Sequence, residues 1–342
     1  MDIKKLAKKC GVSTMTVSRA FGNHQISEDT RKTILSAAKK YNYRPNIVAR
    51  SLVRRRSQII GLVVPNIIQS YFPHIIRGVE QFFNQFGYNL ILCDSQEDTK
   101  KEEQQIRLLI DQRVAGVIVI PAAQRQDSGI FSELKQAGTP FVLIDRYVEG
   151  VKASFVGVDN HHGALIATEH LIHLGHKKIM HLRGPRTASM AQERFSGYRD
   201  ALKKAGIGLN QDLIIESGLD EKSGQDSMMK VLGAKVDFSA VFAVNDPVAV
   251  GAMKAMHDCG LRIPEDISLV GFANNDYTPY LRVALTTINQ PKEEIGEAAG
   301  KLLLEEISGK KKIRKVLLKT ELVLRDSTDL YSEEETVSSA VE

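Results

Sequence analysis

Cysteine is scarce in this sequence, and its three cysteines lie far apart, at Cys10, Cys93 and Cys259. No two of them form a CxxC pair, so the sequence offers neither a disulfide framework nor a zinc-binding spacing. Long hydrophobic runs are also missing: nowhere do about 18 apolar residues follow one another, the length that a membrane-spanning helix needs. The first 30 residues carry spaced lysines instead of the apolar block of a secretory signal. These absences predict a cytoplasmic protein with reduced thiols and no membrane partner.

Signatures of catalysis and of cofactor binding are missing as well. Leu62 and Val63 follow Gly61, which excludes a GxGxxG dinucleotide fingerprint after the first apolar run. The sequence has no GxSxG nucleophile elbow and no paired carboxylates. Four histidines lie close in sequence, but no carboxylate or thiolate has ligand spacing to them: His170, His173, His176 and His181. We therefore expect no enzyme activity, no catalytic residue, no metal and no cofactor.

The net charge of +5 is distributed unevenly along the chain. Residues 1–57 contain 14 Lys and Arg against 3 Asp and Glu, a net charge of +11, which leaves −6 for residues 58–342. A small basic segment on a mildly acidic body is typical of proteins that bind the phosphate backbone of nucleic acid. The alternative is a basic surface that only contacts solvent.

The basic segment begins with a helix-turn-helix pattern. Apolar residues recur at helical spacing over 3–10, Gly11 and Val12 favour a tight turn, and Ser13 is a good N-cap for a second helix. In that second helix, Val17 and Ala20 are predicted to face inward. Such a unit places its second helix in the major groove of DNA. The predicted outward positions are Thr14, Met15, Ser18 and Arg19.

A third helix is predicted from a cap at Ser27, and it ends at or before Arg44 because Pro45 follows. Its predicted inner face consists of Ile34, Leu35, Ala38 and Tyr41. The next residues, 46–52, form at most one or two helical turns, which are too short to be stable alone. A helical bundle that binds a protein instead of DNA remains the alternative for the whole segment.

Beyond residue 58 the pattern changes to short apolar runs that alternate with amphipathic stretches. Such runs are typical of buried parallel strands, and the alternation predicts doubly wound α/β sheets in two lobes with a cleft between them. The predicted strands are 59–64, 89–93, 115–120, 140–144, 154–158, 177–182, 212–215, 240–244 and 267–272.

The sequence resembles the LacI/GalR family of transcriptional regulators. The resemblance is carried in the basic segment by VSTMTVSRAF, YNYRPNIVARSL and RRSQIIGLVVP, and in the body by VGVDN, HLIHLGHKKI, RFSGYRDAL, FAVNDPVAVGAM, IPEDISLVGF and LTTINQP. It implies an all-α helix-turn-helix domain (1–44), a hinge helix and linker (45–57) and a periplasmic-binding-protein-like body of two doubly wound parallel sheets (58–327). A polar, acidic tail (328–342) is predicted to be disordered.

The resemblance also assigns functional residues. The DNA contacts that it implies, together with the outward positions of the second helix, are Thr14, Met15, Thr16, Ser18, Arg19, Asn46, Ala49 and Leu52. Leu52 would insert into a central base step from the minor groove. Because ligands bind beyond the carboxyl ends of strands, the effector site is predicted at Phe72, Asp145, Asp159, Arg194, Asn245, Asp246 and Asn274.

One position departs from the family pattern. Many members carry an acid after the glycine and phenylalanine of LVGF, where this chain has Ala273 followed by Asn274. The missing negative charge favours a sugar acid or a sugar phosphate as effector, and a neutral oligosaccharide fragment stays open.

The sequence therefore predicts a homodimeric repressor of a carbohydrate-related operon that binds double-stranded operator DNA and a sugar or sugar-derived effector. Two alternatives remain: a ligand-binding protein for transport, and a regulator that responds to a protein partner.

Overall fold

The structure, a computed structural model, describes residues 1–21, 26–43, 57–310 and 312–331. The chain forms two compact units, Met1–Gln58 and Ile59–Glu342, which we call the head and the body. The predicted hinge, apart from Ser57, and residues 332–342 of the predicted tail lie outside the described residues. Residues 328–331, the first of that tail, contact the body: the Tyr331 amide donates to the Leu174 carbonyl at 2.8 Å.

The head consists of three helices, α1 (Ile3–Cys10), α2 (Thr14–Ala20) and α3 (Glu28–Lys40). Ser13 and Ser27 accept backbone N–H groups as N-caps, and Gly11 ends α1 in the left-handed conformation at φ 64°, as their positions in the sequence predict. Val17 and Ala20 are buried as predicted, together with Leu6, Ala7, Ile34 and Ala38. Leu35 was predicted to face inward, but it is 41% exposed, so that prediction is wrong. Ile34 and Ala38 are enough to cover this small core.

The described part of the body contains eight further helices: α4 (Tyr71–Asn84), α5 (Thr99–Asp111), α6 (Gly129–Gln136), α7 (Asn160–His173), α8 (Ser189–Lys204), α9 (Glu221–Gly233), α10 (Asp246–Asp258) and α11 (Lys292–Ile307). Its strands are β1 (Ile59–Val64), β2 (Asn89–Asp94), β3 (Gly116–Val119), β4 (Phe141–Ile144), β5 (Ser154–Val158), β6 (Ile179–Arg183), β7 (Ile214–Glu216), β8 (Ala240–Ala243), β9 (Ser268–Ala273), β10 (Thr286–Asn289), β11 (Lys315–Leu318) and β12 (Glu321–Val323).

These strands form two six-stranded sheets within the described residues, in the orders β11-β5-β4-β3-β1-β2 and β12-β10-β9-β8-β6-β7. The predicted fold class is confirmed: both sheets are parallel except for β12, which pairs antiparallel with β10 at an edge. We call the first sheet with α4–α6 and α11 lobe 1, and the second sheet with α7–α10 lobe 2. The helices cover both faces, which explains why the parallel strands read as continuous apolar runs.

The chain crosses between the lobes three times within the described residues, after β5, after β10 and after β11. Two crossings touch directly, because the Asp159 amide donates to the Leu318 carbonyl at 3.2 Å. The second crossing returns the chain to lobe 1 through α11, which packs against α4. A Cβ atom at Gly78 of α4 would lie 2.1 Å from the Glu293 carbonyl oxygen, so only glycine allows the two helices to approach this closely.

Candidate functional site

Helix α2 presents its polar positions on the surface of the head. Thr14, Ser18 and Arg19 are exposed, and Met15 is 63% exposed. Thr16 is only partly exposed, and its hydroxyl lies 2.9 Å from that of Ser13, whose oxygen also accepts the Thr16 amide. Thr16 therefore belongs to the cap of α2 in this structure. The other predicted DNA contacts, Asn46, Ala49 and Leu52, lie outside the described residues.

A cavity of about 30 Å³ lies between the lobes, at the carboxyl ends of the strands. Lobe 1 and lobe 2 both contribute to its walls, and Gln290 contributes from the second crossing. The lining residues are Gln69, Tyr71, Phe72, Asp145, Arg146, Met190, Arg194, Leu219, Asn245, Pro247, Ala273, Asn275 and Gln290. Four of the seven predicted effector residues are thus brought together: Phe72, Asp145, Arg194 and Asn245.

Lobe 1 contributes an aromatic pair and a carboxylate. Tyr71 and Phe72 begin α4, and their rings meet edge to face at 5.3 Å. The Tyr71 hydroxyl donates to Asp145 Oδ1 at 2.9 Å. Burial raises the pKa of Tyr71 well above its usual value, and the Asp145 carboxylate adds to the effect, so the phenol stays protonated and keeps donating. The result is a wall with an apolar face at Phe72 and a carboxylate beside it.

Arg146 follows Asp145 and is almost fully buried. Its Nη1 donates to both carboxylate oxygens of Glu97 at 2.9 Å and to the Pro121 carbonyl at 3.0 Å. Its Nε makes no hydrogen bond to a described residue, but it lies 3.8 Å from Asp145 Oδ2. Arg146 is therefore charge-compensated by Glu97 and by Asp145.

Arg194 lies in α8 on the lobe 2 side and is 3% exposed. Its Nε donates to Asn160 Oδ1 at 2.9 Å and its Nη1 to the Val244 carbonyl at 2.6 Å, and its guanidinium lies 3.7 Å from the Phe272 ring centroid. Burial lowers the pKa of Arg194, and the nearby Asp145 carboxylate opposes the shift; an arginine remains charged in either case. Neutral groups therefore fix the orientation of this cation while its charge is not cancelled by direct contact.

Lobe 2 adds an amide at the start of α10. Asn245 caps this helix, accepting the Val248 amide at 2.9 Å, and its Nδ2 donates to the Leu219 carbonyl. The next residue, Asp246, is fully buried but does not line the cavity. Its carboxylate accepts the Thr287 hydroxyl at 2.5 Å and the Asn275 amide at 2.8 Å. Burial raises the pKa of Asp246.

The two remaining predicted residues also lie away from the cavity lining. Asp159 caps α7 at the first crossing, accepting the His162 amide at 2.9 Å. Asn274 donates to Asn289 Oδ1 at 3.0 Å and accepts from Arg325 at 2.6 Å. In this structure Asp159, Asp246 and Asn274 bind protein groups, and their assignment to the effector site stays a prediction.

Asn275 and Gln290 line the cavity but were not among the predicted effector residues. Ala273 of β9 pairs with Asn289 of β10, so Asn275 and Gln290 follow neighbouring strands at the same end of the sheet. Recognising β10 as a strand would have identified Gln290, because Gln290 is the first residue after it. Asn275 lies two residues beyond the end of β9, next to the predicted effector residue Asn274.

Within the described ranges, no three His, Cys, Asp or Glu side chains lie close enough together to hold a metal ion. Three of the four clustered histidines have protein partners: His170 contacts Thr328, His176 contacts Ser239, and His181 lies 2.9 Å from the Phe242 carbonyl. Across the same ranges, every helix is too short or too polar to traverse a bilayer.

Both units are similar to known proteins. Residues 2–46 match the family described as bacterial regulatory proteins, lacI family, and residues 168–328 match a periplasmic binding protein-like domain. The HTH-type transcriptional regulator RegA of Clostridium saccharobutylicum is 35% identical, over 96% of this chain and 99% of RegA. A structure of the Lac repressor dimer bound to operator and the anti-inducer ONPF is similar with a TM-score of 0.85, at 26% identity over 96% of this chain and 99% of the repressor. A complex of the transcriptional regulator CelR with cellobiose is similar with a TM-score of 0.74, at 29% identity and the same coverage.

Proposed function

The chain belongs to the LacI family of bacterial regulatory proteins, and on that premise we propose that it is a cytoplasmic homodimeric repressor controlled by a sugar or sugar-derived effector. It is a DNA-binding transcriptional regulator and not an enzyme. The Lac repressor in the similar structure is a dimer bound to operator, and CelR is complexed with cellobiose. These relatives support operator DNA and a carbohydrate-related effector as the partners of this chain.

The head reads the operator through α2 in this proposal. Thr14, Met15, Ser18 and Arg19 supply hydroxyls, an apolar contact and a guanidinium on one exposed helix. An arginine in the major groove binds O6 and N7 of guanine with two hydrogen bonds. Thr16 remains a proposed DNA contact, and its hydroxyl lies 2.9 Å from that of the N-cap residue Ser13. Residues 1–44 form the DNA-binding domain, and residues 45–57 with Asn46, Ala49 and Leu52 form the hinge, in the same proposal.

The observation that carries the effector proposal is the buried Arg194 in a polar cavity with walls from both lobes. A buried guanidinium is costly unless polar groups surround it, and the two acceptors of Arg194 leave Nη2 without a hydrogen bond to a described residue. An oxygen-rich ligand supplies the missing acceptor. Phe72 covers the ligand from lobe 1, and Asp145 and Asn245 orient it.

Binding requires the lobes to move. A cavity of about 30 Å³ is far smaller than the roughly 300–1,000 Å³ of ordinary ligand sites. The hydrogen bonds that join the lobes include Gln69 to the Leu219 carbonyl at 3.2 Å, Thr187 to Gln124 at 3.0 Å and the Tyr147 amide to Ser189 at 3.0 Å. A ligand that stabilises one lobe arrangement shifts the population of repressor states, which is how the effector controls DNA binding.

Replacing Arg194 tests the effector site. Arg194→Ala should abolish the effector's influence on operator binding and weaken effector binding about 10–100-fold, because charge-assisted hydrogen bonds are lost. Effector-free operator affinity should stay within about twofold. Calorimetry and operator titrations check both, with Arg199→Ala, an exposed arginine of the same helix, as the matched control. Wild-type effector affinity in Arg194→Ala would mean that the arginine is only structural.

Replacing Arg19 tests the operator contact. Arg19→Ala should cost about 1–3 kcal/mol at an operator selected from random DNA and relax the preference at one base position. Lys32→Ala, a change to an exposed lysine outside α2, should weaken selected and random DNA alike, because phosphate contacts carry no sequence information. Equal losses on both DNAs for Arg19→Ala would remove Arg19 from base readout.

A further inference from the structure

The amino ends of the lobe 1 strands share one edge of the sheet, opposite the edge at the cavity, because all these strands run parallel. We call this edge the amino edge. Strand β1 lies within the sheet and begins at Ile59, the first residue of the body. The head is therefore joined to the body at the amino edge, and residues 45–58 alone separate this edge from the predicted DNA-binding domain (1–44). DNA that the head binds is tethered to this end of lobe 1.

A row of exposed cations lies along the amino edge, before four neighbouring strands. In the order of the sheet from β11 to β3, these cations are Lys310 and Lys312, Lys152, Lys135 and Arg113. The Lys135 ammonium lies 6.0 Å from the ring centroid of Phe141, the first residue of β4, which places it at the amino end of that strand. Because neighbouring strands are about 4.8 Å apart, this basic row extends over about 15 Å and ends beside β1.

The charge of the basic row is not cancelled within the body. None of its side chains forms an ion pair with a residue that the structure describes. The neighbouring Arg314 is different, because it pairs with Glu305, and we do not count it in the row. Two exposed carboxylates, Asp111 and Glu149, precede the same strands and are outnumbered by the cations. The amino edge of lobe 1 is therefore positively charged.

Helix ends account for only part of the basic row. Helices α5, α6 and α11 end at the amino edge, and the carbonyl end of a helix stabilises a cation within its last turn. Lys135 has such a position in α6. Lys152 follows a strand instead of a helix, and Lys312 lies five residues beyond the end of α11. The row therefore extends further than the helix ends require.

Lobe 2 contains ion pairs at the amino ends of its own strands. Lys178, which precedes β6, pairs with Asp237, and Arg262, which precedes β9, pairs with Asp266. Residues 58–342 together carry a net charge of −6, so the composition of the body does not predict a row of unpaired cations. Such a row, on the edge that is joined to the head, indicates an anionic partner.

We propose that the basic row binds the phosphate backbone of the DNA that the head recognises, so that the body contributes directly to DNA affinity. The inference rests on the proposed function, since it adds a second surface for the same partner. Each cation that neutralises a phosphate releases counterions from the DNA, which favours binding. Phosphate contacts carry no base information, so the row adds affinity for any DNA sequence and leaves the choice of operator to α2.

The salt dependence of DNA binding by the full-length protein tests the proposal. Binding is measured at several salt concentrations, on an operator selected from random DNA and on random DNA itself. Lys310→Gln combined with Lys312→Gln removes two exposed cations from each chain of the dimer. The slope of log K against log salt should become shallower by about 3–4, and the affinity at about 0.1 M salt should fall about tenfold or more. Selected and random DNA should lose affinity alike, because the lost contacts are to phosphates.

Two further variants control for net charge and for folding. Lys203→Gln combined with Lys230→Gln removes the same charge from exposed lysines in the last turns of α8 and α9 of lobe 2, and its slope should equal that of the wild type. Lys310→Arg combined with Lys312→Arg keeps the charge and should keep the wild-type slope. Melting temperatures show that each variant folds.

Three results would overturn the inference. They are a wild-type slope in the Lys310→Gln and Lys312→Gln variant, an equal change of slope in the lobe 2 control, and a loss of affinity confined to selected DNA. Wild-type protein that binds neither DNA would contradict the proposed function itself.

Discussion

The two lobes share a fold but stabilise their buried charges in different ways. In lobe 1 the buried arginines pair with carboxylates: Arg125 Nε lies 2.5 Å from Glu102 Oε1 with both side chains fully buried, and Arg146 is paired with Glu97. In lobe 2 charge meets neutral groups: Arg194 donates to an amide and a carbonyl, and Asp246 accepts a hydroxyl and a backbone amide.

This difference explains why the two lobes have different roles at the cleft. An ion pair cancels the field of both its members, whereas a neutral partner fixes the position of a charge and leaves most of its field in place. Lobe 1 therefore offers the cavity a balanced surface with an aromatic face. Lobe 2 offers an oriented cation.

The largest expected effect is on the ion pair of lobe 1. Arg125→Met should lower the free energy of unfolding by about 3–5 kcal/mol, because it leaves the Glu102 carboxylate buried without its partner. Urea unfolding of the body measures the change. The double variant Arg125→Met with Glu102→Leu should recover much of the loss, since the unpaired charge is gone.

The exposed pair of Arg107 with Glu133 is the control for that result. Arg107→Met should lower the free energy of unfolding much less than Arg125→Met does, because water solvates both groups. A similar loss for Arg107→Met and Arg125→Met would show that burial does not distinguish the lobe 1 pair.

An intermediate effect on the free energy of unfolding is expected for His181 of lobe 2, whose imidazole ring is buried in its neutral form. This ring is buried between Phe195, Tyr198 and Phe242, and burial lowers its pKa to about 3. Below its usual pKa of about 6.5 the unfolded chain binds a proton that the folded chain does not. Its contribution is therefore neutral above about pH 6.5 and becomes destabilising as the pH falls, reaching about 2 kcal/mol at about pH 5.

His181→Phe should remove that acid-dependent loss while keeping an aromatic ring in the stack. Unfolding at about pH 7 and about pH 5 measures it, and the difference between the two should shrink by about 2 kcal/mol relative to wild type. An unchanged pH dependence in His181→Phe would mean that this histidine binds its proton over the same pH range in the folded and in the unfolded chain.

The smallest effect on the free energy of unfolding is expected for a change that removes only the charge of Asp246. Asp246 differs in this respect from Arg125, whose charge is paired with a buried carboxylate. Asp246→Asn should change the free energy of unfolding by less than about 1 kcal/mol, because the new amide can donate to the Thr287 hydroxyl and still accept from Asn275. Asp246→Ala, which removes both acceptors, should cost about 2–3 kcal/mol. Unfolding curves of the two variants measure both changes. A loss of stability in Asp246→Asn as large as in Asp246→Ala would show that the stability of lobe 2 also depends on the charge of Asp246.

The sequence predicted most of the fold because buried parallel strands are continuous apolar runs. The bounds of β1 to β9 were predicted within two residues. Strands β10 to β12 were not predicted. The sequence of β10 is TTIN, and its two threonines are buried and hydrogen-bonded. Strand β12 has only three residues. Polar strands of this kind are recognised only from the sheet that surrounds them.

The site was predictable where position along a strand decided it, and not where distant partners did. Phe72, Asp145 and Asn245 follow strand ends and line the cavity, and Arg194 matched the family pattern. Asn274 also follows a strand end, but its side-chain oxygen accepts a hydrogen bond from Arg325, 51 residues away in sequence. Such a long-range hydrogen bond cannot be read from local pattern.

The three crossings between the lobes place the two ends of the described body on different lobes. Because the number of crossings within the described residues is odd, the body begins in lobe 1 at β1 and reaches residues 328–331 in lobe 2. An even number would have left both ends on one lobe, and the distance between the ends would then not change when the lobes move apart. A fluorescent donor and acceptor attached at these two ends would therefore lie on different lobes. Energy transfer between them would measure how the distance between the lobes changes when the effector binds.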